Sequence, residues 1–260
     1  MASKNGFCCL SGNALKIIAA ITMIIDHIGV VFFPRIAIFR IIGRISFPIF
    51  AFMIAEGCHY TKNKLRYFLS VFILGTICQA VYFFYGGGKL LGILITFSLS
   101  ILLTYAMQYM KKALLLKEAL IKQILSVLLF IAALFAVYLL NEKLLIDYGF
   151  FGCLAPVFAG AFKIPREIQN CAAAQTSDAP CAKLSCNIFE MLNLVSLAAC
   201  LVILIFTMGK IQVFALLALP FLLLYSGKRG KYKMKCFFYV FYHLHLAALE
   251  GIAMLIKLLN

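Results

Sequence analysis

The sequence predicts an all-α integral membrane protein, a single domain over residues 1–260 built as a polytopic bundle of about nine transmembrane helices with a cytoplasmic N-terminus. Three observations predict it. Of the 260 residues, 65% are apolar and 13% are charged, against about 45–50% and about 25% in soluble domains, so no ordinary water-facing core absorbs this composition. The apolar residues fall in nine runs, each near the ~20 residues that a helix needs to cross hydrocarbon. The basic residues collect in the short connections between those runs, mostly on alternate sides. A soluble enzyme, a secreted disulfide module and a disordered chain are excluded together.

The runs are Ala14–Phe33, Ile36–Cys58, Leu65–Tyr85, Leu91–Met110, Ala119–Leu140, Ile146–Phe162, Ile188–Met208, Ile211–Ser226 and Cys236–Ile256. The first has no small-residue cleavage site after it and reads as an uncleaved span rather than a signal peptide. The sixth and eighth are short enough to be re-entrant. Backbone amides find no water in lipid, which leaves helices or a closed barrel. Runs of this length without strict alternation exclude the barrel. The longest connection, residues 163–187, carries the polar stretch CAAAQTSDAPC and reads as a cytoplasmic loop.

Charge sets the orientation. The chain has 24 Lys and Arg against 9 Asp and Glu, a net charge of +15. With the N-terminus inside, 17 of the 24 cations, including Lys62, Lys64, Arg66, Lys111, Lys112 and the cluster from Lys228 to Lys235, fall on the cytoplasmic side. Nucleic acid is not an expected partner, because no basic helix is left to lie along phosphates. No CxxC or HExxH occurs among the ten cysteines and four histidines, so no metal is expected. Most cysteines sit in apolar runs, where they act as small hydrophobes. GxSxG and Walker A motifs are absent too, which disfavours a serine hydrolase and a nucleotide-driven pump. The Gly86–Gly88 run before Lys89 reads as a turn.

Ionisable residues inside spans cost about 2.5–3.5 kcal/mol on insertion scales, so each one is a functional hypothesis. Lys16 and His27 are eleven residues apart in the first run. That is three turns plus about 20°, so they share a face about 16 Å apart along the axis. If the chain reverses at Pro34, Arg44 comes level with Asp26 and His27, and an Asp26–Arg44 pair neutralises two expensive charges together. In the last run Tyr242 and His245 are three apart and share a face.

These residues carry a resemblance. LSGNALKIIAAITMIIDHIGVVFFP, from Leu10, followed by RIIGRISFPIFAFMIAEGCHYTKN, from Arg40, resembles the opening of the TraX family, named for conjugal pilin acetylases of bacteria. DYGFFGCL at Asp147–Leu154 resembles its middle segment and KCFFYVFYHLHL its closing one. Gly92 stands where the family pattern has asparagine, His243 where it has proline, and the loop 163–187 reads as an insertion. The family is similar to a wider superfamily of transmembrane acyltransferases, whose first helix carries a basic residue, ten others and a histidine.

The resemblance implies a multi-pass protein of the bacterial cytoplasmic (inner) membrane. It would transfer an acetyl or other acyl group from acetyl-coenzyme A, the donor substrate, to an amine or hydroxyl of a membrane-presented acceptor such as a pilin or peptide N-terminus. His27 would be the base, oriented by Asp26. Arg44 would stabilise the oxyanion, anchor a donor phosphate or form a structural pair. Lys16, Lys62 and Arg66 would meet the donor phosphates, with Glu56 orienting one of these cations. Tyr242, His245 and Asp147 would line the acceptor side. The alternatives are an acyltransferase acting on a surface carbohydrate, and a transporter or lipid-binding protein without covalent chemistry. Membrane lipid is a partner in every case.

Overall fold

The computed structural model describes residues 9–84, 90–166, 168–169, 181–231, 234, 241, 244–245, 248–249, 251–252 and 255, with side chains from residue 188 onward in the segment that starts at 181. The described residues form helices and contain no β-strand, only the isolated bridges Leu10–Tyr225 and Leu91–Ile146. Two compact units divide the chain. One takes the chain up to Met53 and from Ile205 onward, and the other takes residues 54–204.

In the first unit α1 (Gly12–Phe32) and α2 (Ala37–Gly43) form a hairpin around Pro34. Ser11 is the N-cap of α1, and its hydroxyl accepts from the Ala14 amide at 3.2 Å. The expected second span is broken between α2 and α3 (Ser46–Tyr60). Pro48 explains the break, because it has no N–H to give the Arg44 carbonyl and its ring crowds that carbonyl. The unit also holds a 3₁₀ segment, Lys210–Leu217, which contacts α2 and runs into a short helix, Ala218–Leu223.

In the second unit α5 (Ile93–Leu115) is central, packing against α4 (Lys64–Phe84), α6 (Leu120–Lys143) and α7 (Gly149–Ala159). Leu103, Met107, Val137, Ile146, Cys153, Leu154 and Val157 make its apolar core. Thr96, Ser100 and Thr104 are buried on one face of α5, the small-polar spacing that lets membrane helices approach closely. Ser100 and Thr104 return their hydroxyls to carbonyls one turn back, and Thr96 donates to the Asp147 carbonyl at 2.9 Å. The outward faces of α4 and α6 remain apolar, with Phe72 and Ile73 on one and Leu120, Ile121 and Phe135 on the other exposed. Apolar faces of this extent suit a lipid solvent. The last helix of the unit, α8 (Cys181–Met208), starts within the expected loop.

Six helices among the described residues are long and apolar enough to cross a membrane, with α2 and α3 counted as one span. The count of about nine is not confirmed among the described residues. The sixth run forms only α7, about 16 Å long against a core of about 30 Å, and the eighth forms the short stretch Lys210–Leu223. Most of the ninth run, Cys236–Ile256, lies outside the described residues.

Candidate functional site

The α1–α2 hairpin in the first unit brings three charges together. Arg40 Nη1 donates to Asp26 Oδ2 at 2.9 Å, and Arg44 Nη2 reaches Oδ1 at 3.1 Å and Oδ2 at 3.2 Å. Arg44 is the buried cation of the two, with 8% of its side chain exposed against 37% for Arg40. Gly43 makes the approach possible, since a Cβ there would overlap the Asp26 carboxylate. Two guanidiniums converge on one carboxylate in a mostly buried place, where fixed charge acts strongly.

Beside this trio lies a pair of imidazoles. The rings of His27 and His245 are 5.2 Å apart between centroids and inclined by 44°. His245 stacks on Phe241 at 5.1 Å, and its Nδ1 sits 2.9 Å from the Phe241 carbonyl oxygen. A carbonyl only accepts, so Nδ1 of His245 carries the proton and Nε2 is its basic nitrogen. Nδ1 of His27 is buried with no hydrogen-bond partner of standard geometry among the described residues, although the Met23 carbonyl one turn back is an electrostatic neighbour.

One expected relationship is corrected. Asp26 does not orient His27 through a hydrogen bond, because both its oxygens are engaged by Arg40 and Arg44. It faces the guanidiniums, and its influence on the neighbouring imidazole is exerted through space. Arg40 was not anticipated, although its i,i+4 spacing from Arg44 puts both on one helix face.

The N-terminal end of α1 is closed by residues from far along the chain. The Lys228 carbonyl accepts from the Gly12 amide at 2.8 Å and the Arg229 carbonyl from the Asn13 amide at 3.0 Å. Leu10 and Ser226 are joined by a 2.8 Å backbone bond and by the Ser226 hydroxyl at 2.9 Å. An open cleft of about 630 Å³ lies here, lined by Ser11, Ser226 and the run Gly227–Lys231. Lys16, one turn into α1, is within electrostatic reach of Arg229.

The remaining described candidates belong to the second unit. Glu56 is buried and forms an ion pair with Lys163, a cation not among those expected to meet it. The side chains of both partners are largely withdrawn from solvent, 8% and 15% exposed. Lys111 donates its ammonium to the carbonyls of Gly160, Ala161 and Lys163, closing the C-terminal end of α7. Lys62 and Arg66 are exposed at the start of α4, where the Asn63 side chain accepts the Arg66 amide at 2.9 Å. Asp147 precedes α7, with its amide on the Leu91 carbonyl at 3.0 Å and Tyr148 after it in the left-handed region at φ 60°. Tyr242 lies outside the described residues. No group of three His, Cys, Asp or Glu side chains able to hold a metal occurs among the described residues.

Six apolar helices and charged groups buried between them define a multi-pass helical membrane protein. A family model described as "TraX protein" matches residues 11–253, and the chain belongs to that family. An uncharacterized protein of Rickettsia prowazekii (strain Madrid E) is 45% identical over 67 residues, 26% of this chain and 25% of the relative. A probable fimbrial assembly protein FimC, serogroup H1, of Dichelobacter nodosus is 32% identical over 76 residues, 28% of this chain and 31% of the relative. The chain thus matches about a quarter to a third of the length of these curated relatives. No solved structure matches it.

Proposed function

We propose that this protein is an acetyltransferase of the bacterial cytoplasmic membrane, with its N-terminus inside, that moves an acetyl group from acetyl-coenzyme A to an amine or hydroxyl of a membrane-presented acceptor. The observation that carries the reading is the buried imidazole pair, His27 and His245, beside a guanidinium–carboxylate trio. Acyl transfer needs a base for the acceptor proton and a fixed positive group for the tetrahedral oxyanion. The family to which the chain belongs, named for pilin acetylation, supports the chemistry. A relative named for fimbrial assembly supports a surface-fibre subunit as acceptor.

In this reading His27 takes the proton as the acceptor nitrogen or oxygen attacks the thioester carbonyl. Arg44, held by Asp26, faces the negative charge that develops on the carbonyl oxygen. The carbon–sulfur bond then breaks, the electron pair leaves on sulfur, and the thiolate receives the proton from the imidazolium. His245 packs against the His27 ring and helps to hold it. Arg40 keeps the Asp26 carboxylate aligned for Arg44 and is a positioning residue.

The test follows labelled acetyl from acetyl-coenzyme A to a pilin N-terminal peptide with purified protein in lipid nanodiscs. His27→Ala should bind the donor as the parent does and lower transfer by about 10²–10⁴, the usual contribution of a positioned base. Transfer at the parent rate by His27→Ala would remove the histidine from the chemistry. Absence of any acetyl transfer or thioester hydrolysis by the parent would remove the enzyme.

A further inference from the structure

The cations from Lys228 to Lys231 entered the sequence reading only as markers of membrane side. In the folded chain they rim a concave surface. Lys228, Arg229 and Lys231 are exposed around the cleft, no acidic residue lines it among the described residues, and Lys16 adds a fourth positive charge within reach of Arg229. Like charges repel one another, so such a concentration is most stable with an anion between them.

The loop is also held in place by its backbone rather than its charged side chains. The Lys228 and Arg229 carbonyls accept the first amides of α1, and Ser226 is tied to Leu10. Those amides are therefore already engaged, and whatever anion binds here is recognised by side-chain cations. Gly230 stands at φ 100°, and a Cβ there would press on Asn13 and Ser11, so the loop lies tightly against the helix end. The result is a pre-shaped basic rim of Lys228, Arg229 and Lys231.

Distance selects the kind of anion. Along α1, His27 lies about 16 Å from Lys16 and about 24 Å from Ser11 at the cleft. An extended pantetheine arm together with its diphosphate covers a length of this order. We infer that the cleft formed by Ser11, Ser226 and Gly227–Lys231 binds the phosphate groups of the coenzyme A donor, with the pantetheine arm running along α1 towards His27. The inference rests on the acetyl-transfer reading for the identity of the donor. The chemistry it needs, a diphosphate and a phosphomonoester met by Lys and Arg, is shared with anionic lipid headgroups, so the test must tell the two apart.

The test measures coenzyme A binding by calorimetry to the full chain in phosphatidylcholine nanodiscs, for the parent, for the triple variant Lys228→Gln/Arg229→Gln/Lys231→Gln, and for Arg35→Gln, exposed beyond the far end of α1, as a remote control. The triple variant should bind at least tenfold more weakly and the control within twofold of the parent. If the triple variant folds poorly, Arg229→Gln and Lys231→Gln singly should each weaken binding about threefold. Parent-like affinity in these variants overturns the assignment. Phosphatidylglycerol in the nanodiscs should change parent affinity by less than twofold. If it abolishes the difference between parent and triple variant, the cleft holds lipid headgroups, and the assignment is again overturned. The two proposals fail separately. Binding that depends on the three cations without any acetyl transfer sinks the chemistry and keeps the cleft. Transfer by the parent, with unweakened coenzyme A binding in the triple variant, does the reverse. A parent that neither binds coenzyme A nor transfers acetyl sinks both.

Discussion

Each unit buries a carboxylate against basic side chains, and the two arrangements differ in what stands beside the carboxylate. Around Glu56 the Lys163 ammonium faces the carboxylate, and Lys111 directs its charge into three backbone carbonyls. Around Asp26 two guanidiniums face one carboxylate next to two imidazoles. An ion pair beside a capped ammonium fastens helices together. An ion pair beside two imidazoles also sets hydrogen-bond donors and a base next to one another. The neighbours of a buried ion pair, rather than the pair itself, separate a fastening from a site.

Removing the countercharge breaks the comparison most sharply. Asp26→Asn and Glu56→Gln should each cost about 3–5 kcal/mol, because each strips the carboxylate from buried cations. Thermal unfolding in detergent checks this. Deleting the cation as well should then separate the two clusters. Glu56→Gln with Lys163→Met should recover most of the lost stability, as replaceable buried pairs do. Asp26→Asn with Arg44→Met should recover folded protein but leave acetyl transfer at or below about 1% of parent, since one lost oxyanion donor costs about 10²–10³. Parent-like transfer by that double variant would place the trio with Glu56–Lys163 as a fastening.

A smaller effect sharpens the same contrast through packing. Gly43→Ala should cost about 1–3 kcal/mol by pushing the Asp26 carboxylate away from α2. At Gly160, near the Lys111 cap, an added Cβ would meet its nearest atom, the Pro156 carbonyl oxygen, at an ordinary 3.6 Å. Gly160→Ala should therefore stay within about 0.5 kcal/mol of parent. Equal losses at both glycines would mean that α1 and α2 are no closer than an average contact. Smallest of all, Ser11→Ala removes the side-chain cap of α1 and should cost about 1 kcal/mol, read as a modest fall in Tm.

Much of the helical layout was legible because hydropathy reports it directly. The runs at Ala14, Leu65, Leu91 and Ala119 correspond to α1, α4, α5 and α6 within a few residues. The Asp26–Arg44 contact was legible too, since a hairpin around Pro34 fixes the register of residues equidistant from the turn. What the runs concealed was interruption. Pro48 lies inside an apolar stretch, so the break behind Arg44 left no mark in hydropathy although the proline itself announces it. The His27–His245 contact was not legible, because two residues separated by 218 positions meet only through tertiary packing. Lys163 was passed over for a simpler reason: as a residue at the edge of a span, it looked like a topology marker. Lys228, Arg229 and Lys231 were absorbed in the same way, since charge pattern along a chain says which side a loop is on and nothing about its curvature.

The closure of α1 by distant carbonyls also has a consequence for synthesis. The α1–α2 hairpin can settle as soon as Arg44 has left the ribosome, but the amides of Gly12 and Asn13 wait for Lys228 and Arg229. At about 5–20 residues per second, that interval is on the order of tens of seconds. Throughout it the beginning of the first helix must be satisfied by water or by a temporary partner at the translocon. His27 waits longer still for His245. Helix α1 is thus made before the other described helices and finished among the last, and a ribosome stalled before residue 228 would leave a protein with its second unit fully encoded and its first unit open.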